Sequence, residues 1–68
     1  MKKLANLRNH IFISGKSQRQ IGLDVGIPEA RMSDIILGRR TATSQERAVL
    51  AKELNVEEAI LFNLKKIN

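Results

Sequence analysis

The chain contains no cysteine, tryptophan or tyrosine, and only one histidine and one proline. Without cysteine there can be no disulfide bond or thiolate zinc site, a pattern typical of the reducing cytoplasm, where we expect the protein to reside. No acidic side chain lies at metal-ligand spacing around His10, so we expect a partly buried structural histidine and no metal site. Polar residues interrupt the apolar stretch over residues 4–13, so the sequence predicts neither a signal peptide nor a membrane span.

The residues that usually carry catalysis are missing as well. There is no cysteine nucleophile, no serine paired with the single histidine, and no glycine-rich loop that could hold a phosphate. We therefore expect a protein that is not an enzyme, uses no cofactor and has no small-molecule ligand.

What is present is a short chain with unevenly placed charge. Its 68 residues predict one domain, with a core over residues 4–62 and a C-terminal tail over residues 63–68. The net charge is +5. Residues 1–40 carry eight basic and three acidic side chains, whereas residues 41–68 carry four of each. The excess positive charge thus lies in the N-terminal half, which is compatible with a nucleic-acid partner.

Apolar residues recur at three-to-four spacing, which predicts an all-α domain of five helices. The first helix should place Leu4, Leu7, Ile11 and Phe12 on its inward face and end at Ser14 and Gly15. The second should span residues 18–25 behind a Ser17 cap, and the third residues 28–37. Thr43 or Ser44 should cap the fourth, Asn55 should end it, and the fifth should run from Val56 to Phe62.

The most informative segment is residues 17–27, SQRQIGLDVGI. Ile21 and Val25 share a helix face, and Gly22 would allow a partner helix to approach closely. Gly26 follows the last periodic residue, where glycine enters the left-handed conformation without steric cost. Pro28 suits the start of the next helix. Two helices joined by so tight a turn predict a helix-turn-helix, whose second helix can lie in the DNA major groove.

These residues, in this order, resemble the lambda-repressor-like, Cro-type DNA-binding domains. The resemblance covers residues 4–62 without an insertion. It is carried by Ser17, Gln18, Ile21, Gly22, Val25, Gly26, Ile27, Ser33, Ile35, Gly38, Arg39, Arg40, Leu50, Ala51, Leu54 and Val56. The chain departs from the family at Pro28, where many relatives have Ser or Thr, and at Ala42, where the loop usually has proline. Ile11 and Ile36 stand where many relatives have an Arg–Glu pair.

Helix geometry and the family pattern together indicate which residues would read bases. With Met32, Ile35 and Ile36 inward, helix geometry sends Ala30, Ser33, Asp34 and Leu37 outward and leaves Glu29 and Arg31 on the flanks. The predicted base-reading residues are Glu29, Ala30, Arg31, Ser33 and Asp34, led by Glu29, Ala30 and Asp34 near the N-terminal part of the helix. An acidic side chain that contacts a base needs a hydrogen-bond donor on that base, such as the cytosine amino group. Alternatively, Glu29 or Asp34 orients an arginine, or the two form a solvated acidic face.

The resemblance implies that Gln18 contacts a backbone phosphate. Lys16 and Arg19 flank the same edge, and Arg39 and Arg40 follow the third helix on the other side. The alternative for each of these cations is a solvated surface charge, which we expect for Lys2, Lys3, Lys65 and Lys66.

The expected partners are double-stranded DNA and a second copy of the chain. Leu61 or Ile60 should close the core, and Phe62, Leu64 and Ile67 should form an apolar patch at a dimer interface. The resemblance implies a Cro-like phage or prophage repressor that binds its operator as a dimer. The alternatives are a DNA-binding antitoxin, whose apolar patch would hold a toxin, and a protein-interaction module that has lost DNA binding.

Overall fold

Five helices, and no strand, form the described part of the chain, residues 3–62 of a computed structural model. They are α1 (Ala5–Ile13), α2 (Gln18–Val25), α3 (Glu29–Ile36), α4 (Ser44–Leu54) and α5 (Glu58–Leu61). The all-α prediction is confirmed, and the bounds of α2 are those predicted. None of the described helices has the length and apolar character needed to cross a membrane.

Side-chain and glycine caps determine where the helices begin and end. The Ser17 hydroxyl accepts a hydrogen bond from the Gln20 N–H at 3.0 Å and caps α2. Thr43, rather than Ser44, caps α4 through a capping box with Glu46. At the C-terminal ends, Gly26 and Asn55 both adopt the left-handed conformation, with φ of 78° and 55°. The caps expected at Ser17 and Asn55 are therefore confirmed.

The last helix is shorter than predicted. The Val56 N–H donates to the Ala51 carbonyl at 3.1 Å, so this residue completes the end of α4 instead of starting α5. Glu57 then precedes a helix of four residues. The hydrophobic spacing could not reveal this, because Val56 and Leu61 pack against the same core whether or not the chain between them is helical.

The core lies between all five helices and the loop before α4. Its buried members are Leu7, Ile11, Ile21, Ile27, Met32, Ile35, Ile36, Ala42, Leu50, Leu61 and Phe62. Met32, Ile35 and Ile36 form the inward face of α3, as predicted. The Leu4 N–H also donates to the Ile36 carbonyl at 2.8 Å, which fixes the start of α1 against the end of α3.

Two expectations about aromatic residues are corrected. Phe12 does not join the inward face of α1, since 84% of its surface is exposed. At about 100° per residue it points well away from Leu7, which is fully buried. Phe62 does not lie on a surface patch: it is 8% exposed and packs in the core beside Leu61. Leu64 and Ile67, the other two residues assigned to that patch, lie outside the described residues.

Candidate nucleic-acid interface

A close backbone contact fixes α2 against the start of α3. A Cβ atom built on Gly22 would lie 2.6 Å from the Ile27 carbonyl oxygen and 3.1 Å from Cγ of Met32. The Ile27 N–H donates to the Gly22 carbonyl at 2.8 Å, and Gly26 makes the left-handed turn between them. The absence of a side chain at position 22 thus sets the distance between the two helices.

A side-chain hydrogen bond joins the same two helices at their other ends. The Gln18 amide Nε2 donates to the Ser33 hydroxyl at 2.9 Å, and both residues are half-buried. They line a shallow groove together with Arg8, Ile36 and Leu37. Because Ser33 is engaged by Gln18, it lies beside the exposed face of α3 instead of projecting from it. Arg8 was not among the predicted site residues, because no spacing within α1 relates it to Gln18.

The first turn of α3 presents the most accessible of the predicted base-reading residues. Glu29 and Ala30 are exposed, and Glu29 makes no ion pair within residues 3–62. A carboxylate in the first turn of a helix is stabilised by the helix dipole, so its placement also has a purely local reason. Arg19, on the first turn of α2, is exposed as well.

Asp34 lies in the second half of α3 and faces the two arginines that follow the helix. Its Oδ1 is 3.6 Å from Nη1 of Arg39, and its Oδ2 is 3.4 Å from Nε of Arg40. The backbone contributes to this placement, because the Asp34 carbonyl accepts the N–H groups of Arg39 and Arg40 at 2.8 and 3.2 Å. The structure therefore brings one predicted base reader together with both predicted phosphate contacts of this loop.

Arg31 is directed toward α4. Its Nε lies 2.6 Å from Oε2 of Glu46, and its Nη2 lies 2.7 Å from Oε1 of the same carboxylate. The Thr43 N–H donates to that Oε1 at 2.8 Å. These donors, led by the Arg31 guanidinium, lower the pKa of Glu46 to about 2. Arg31, predicted to flank the base-reading face, thus joins α3 to α4. The sequence indicated Glu46 only as an acidic residue in the first turn of α4.

Lys16 also pairs with acidic residues on other parts of the chain. Its Nζ lies 3.0 Å from Oδ2 of Asp24 and 3.3 Å from Oε2 of Glu53. These contacts raise the pKa of Lys16, mainly through the hydrogen bond to Asp24. Lys16 therefore lies between α2 and α4, where its charge is partly balanced, rather than free beside Arg19.

The predicted site residues thus fall into two groups. Those at or near the surface of α2, α3 and the loop after α3 are Gln18, Arg19, Glu29, Ala30, Ser33, Asp34, Arg39 and Arg40. Lys16 and Arg31 instead form ion pairs with acidic side chains of α2 or α4, and these pairs join separate parts of the fold. Comparison with known proteins does not identify a family, since no family model, curated protein or solved structure matches the chain.

Proposed function

We propose that this chain is a sequence-specific regulator that binds double-stranded DNA. In this proposal α2 and α3 form a lambda-repressor-like helix-turn-helix, and α3 enters the major groove. Gln18 and Arg19 contact phosphates on one side of the groove, and Arg39 and Arg40 contact phosphates on the other. Glu29, Ala30 and Asp34 face the base edges.

The observation that carries the proposal is that the first turn of α3 is exposed, while the second half of this helix contacts Gln18 from α2 and both arginines of the following loop. Glu29 and Ala30 are open to solvent. Gln18 is already oriented beside α3 by its 2.9 Å hydrogen bond to Ser33. The two loop arginines are 60% and 67% exposed, so their guanidinium groups are accessible to a phosphate. The short connection between α2 and α3, together with the close packing at Gly22, would hold these side chains in one arrangement on the duplex.

In this proposal the protein represses transcription by occupying its operator. A dimer bound to a near-palindromic operator would exclude RNA polymerase, and the concentration of the chain would set the extent of repression. Such a protein would be a Cro-like repressor of the phage or prophage type.

The test is selection from a random duplex library, followed by titration of the selected duplex at increasing salt. Log affinity should fall linearly with log salt concentration, because phosphate contacts release counterions. Arg39→Ala and Arg40→Ala should each reduce the magnitude of that slope by about one. No binding of the wild-type chain to any duplex at low salt would rule out the proposal.

Lys52→Ala is the matched control for the loss of one positive charge. Lys52 lies on α4, beside Asp24 and Val25 at the C-terminal end of α2, and makes no ion pair within residues 3–62. It should leave the salt slope unchanged. An equal reduction by Lys52→Ala and Arg39→Ala would show that net charge, and not the loop after α3, determines the binding.

A second candidate is a protein-interaction module with the same helices. It is favoured by Phe12 and Ile13, which are 84% and 73% exposed at the end of α1. Large apolar side chains that adjoin on a surface are more typical of a protein contact than of a DNA contact. This candidate predicts that Phe12→Ser weakens capture of a protein partner and leaves any DNA affinity unchanged.

A further inference from the structure

We infer that Asp34 is a specificity-determining residue. Its carboxylate holds Arg39 and Arg40 away from DNA phosphates until it meets a hydrogen-bond donor on a base, the amino group of cytosine. This inference rests on the proposed function and deepens it. It assigns one carboxylate two successive sets of partners: the loop arginines in the free protein and an amino group in the major groove in the specific complex.

The geometry of the free protein supports the first set of partners. Each oxygen of the Asp34 carboxylate faces a different guanidinium, at 3.6 and 3.4 Å. Asp34 is 29% exposed, so it adjoins the surface that would face DNA. The carboxylate therefore occupies the position relative to these arginines that a backbone phosphate would take. The hydrogen bonds from the Arg39 and Arg40 N–H groups to the Asp34 carbonyl keep the loop in place while the guanidinium groups change partners.

The contacts are weak enough to exchange. The arginine side chains are mostly exposed, and both distances are longer than those of good charge-assisted hydrogen bonds. By contrast, Arg31 binds Glu46 through two short contacts of 2.6 and 2.7 Å. Arg39 and Arg40 are therefore better suited than Arg31 to leave their carboxylate for a phosphate.

The chemistry of the groove supplies the specificity. When Arg39 and Arg40 move to phosphates, the Asp34 carboxylate loses its counter-charges beside a polyanion. A donor must replace them, because an acceptor-only group gains nothing from guanine O6 and N7 or thymine O4. Cytosine presents an amino donor without an acceptor on the same base edge, whereas the adenine amino group stands beside the acceptor N7. The exchange is therefore most favourable where the carboxylate meets a cytosine, less so at an adenine, and unfavourable where it meets only acceptors.

Asp34→Asn tests this inference, with Glu29→Gln as the matched control. Both variants remove one negative charge from α3, but Glu29 has no arginine partner within residues 3–62. On a random duplex at low salt, Asp34→Asn should bind about fivefold more tightly than Glu29→Gln, since two exposed ion pairs no longer compete with phosphate. Its salt slope should be steeper by up to about two, because both arginines become available for phosphates. In library selection it should lose the cytosine preference, since asparagine pairs best with adenine.

The free protein gives an independent readout. The NMR signal of the Arg40 Nε–H group, whose nitrogen lies 3.4 Å from Asp34, should shift in Asp34→Asn and not in Glu29→Gln. If the wild type binds DNA, either of two results would overturn the inference and leave the proposed function standing. The two substitutions could change the nonspecific affinity equally, or Asp34→Asn could retain the cytosine preference. No binding of wild type to any duplex would overturn both.

Discussion

At the scale of single residues, the absence of one methyl group at position 22 determines how closely two helices pack. Gly22 is buried inside α2, where a Cβ atom would come too close to the Ile27 carbonyl oxygen and the Met32 side chain. Glycine is normally unfavourable within a helix by about 1 kcal/mol relative to alanine. Its presence in α2 is therefore explained by this packing rather than by helix stability.

Gly22→Ala should lower the free energy of unfolding by about 2 kcal/mol. The added Cβ would lie 2.6 Å from a backbone oxygen, which cannot move aside as a side chain could. Overpacking of this kind costs about 1–3 kcal/mol, and only part of that is offset by better helix propensity. Urea denaturation followed by circular dichroism measures the change.

Gly26→Asn is the control for this substitution. A Cβ at position 26 would meet nothing within 4 Å, and Asn55 shows that asparagine adopts a left-handed cap in this chain. The loss in unfolding free energy should be below about 1 kcal/mol. A Gly22→Ala variant as stable as Gly26→Asn would show that the α2–α3 contact relaxes freely.

At the scale of helices, Glu46 connects α3 to α4 through one carboxylate. It receives Arg31 from α3 and the Thr43 N–H at the start of its own helix. Because its pKa is lowered from 4.5 to about 2 in the folded chain, the unfolded chain takes up the proton first. The stabilisation is therefore present above pH 4.5 and is lost as the pH falls toward 2.

Glu46→Gln should lower the free energy of unfolding near neutral pH by about 2 kcal/mol, the order expected for hydrogen bonds to a charged group. The difference from wild type should shrink as the pH falls from 4.5 toward 2. Urea denaturation at a series of pH values measures both effects. Glu29→Gln, which removes an exposed carboxylate of α3, should cost much less. A difference from wild type that stays constant with pH would contradict the assigned role of Glu46.

The helices differ in how far the sequence could predict them. The bounds of α2 follow from local signals, namely the Ser17 cap, the Ile21–Val25 spacing and Gly26. The inward face of α3 follows from periodicity alone. The Gln18–Ser33 bond and the Arg31–Glu46 pair join residues 15 positions apart, so they depend on how the helices pack and on side-chain rotamers. No local pattern specifies those, which is why Arg31 was expected on the base-reading face.

At the scale of the whole molecule, one copy of a domain this small offers few contacts for tight specific binding. If two copies bind one operator, their α3 helices should enter successive major grooves about 34 Å apart. The selected duplex should then contain two half-sites separated by about 10 base pairs, centre to centre. Insertion of about 5 base pairs between them should abolish cooperative binding, because it turns the half-sites to opposite faces of the duplex. Gel-shift titration measures this, and unchanged cooperativity would contradict a dimer of fixed geometry.

The carboxylate of Glu46 also limits how the sequence can diverge. Its Oε1 oxygen accepts from both Arg31 and the Thr43 N–H, so a substitution that removes this oxygen loses one hydrogen bond of the capping box and the connection to α3 in the same step. Substitution of Arg31 alone would leave a carboxylate, only 16% exposed, without its cation. Positions 31 and 46 should therefore change together in descendants of this chain, and a double-mutant cycle between them should be strongly non-additive.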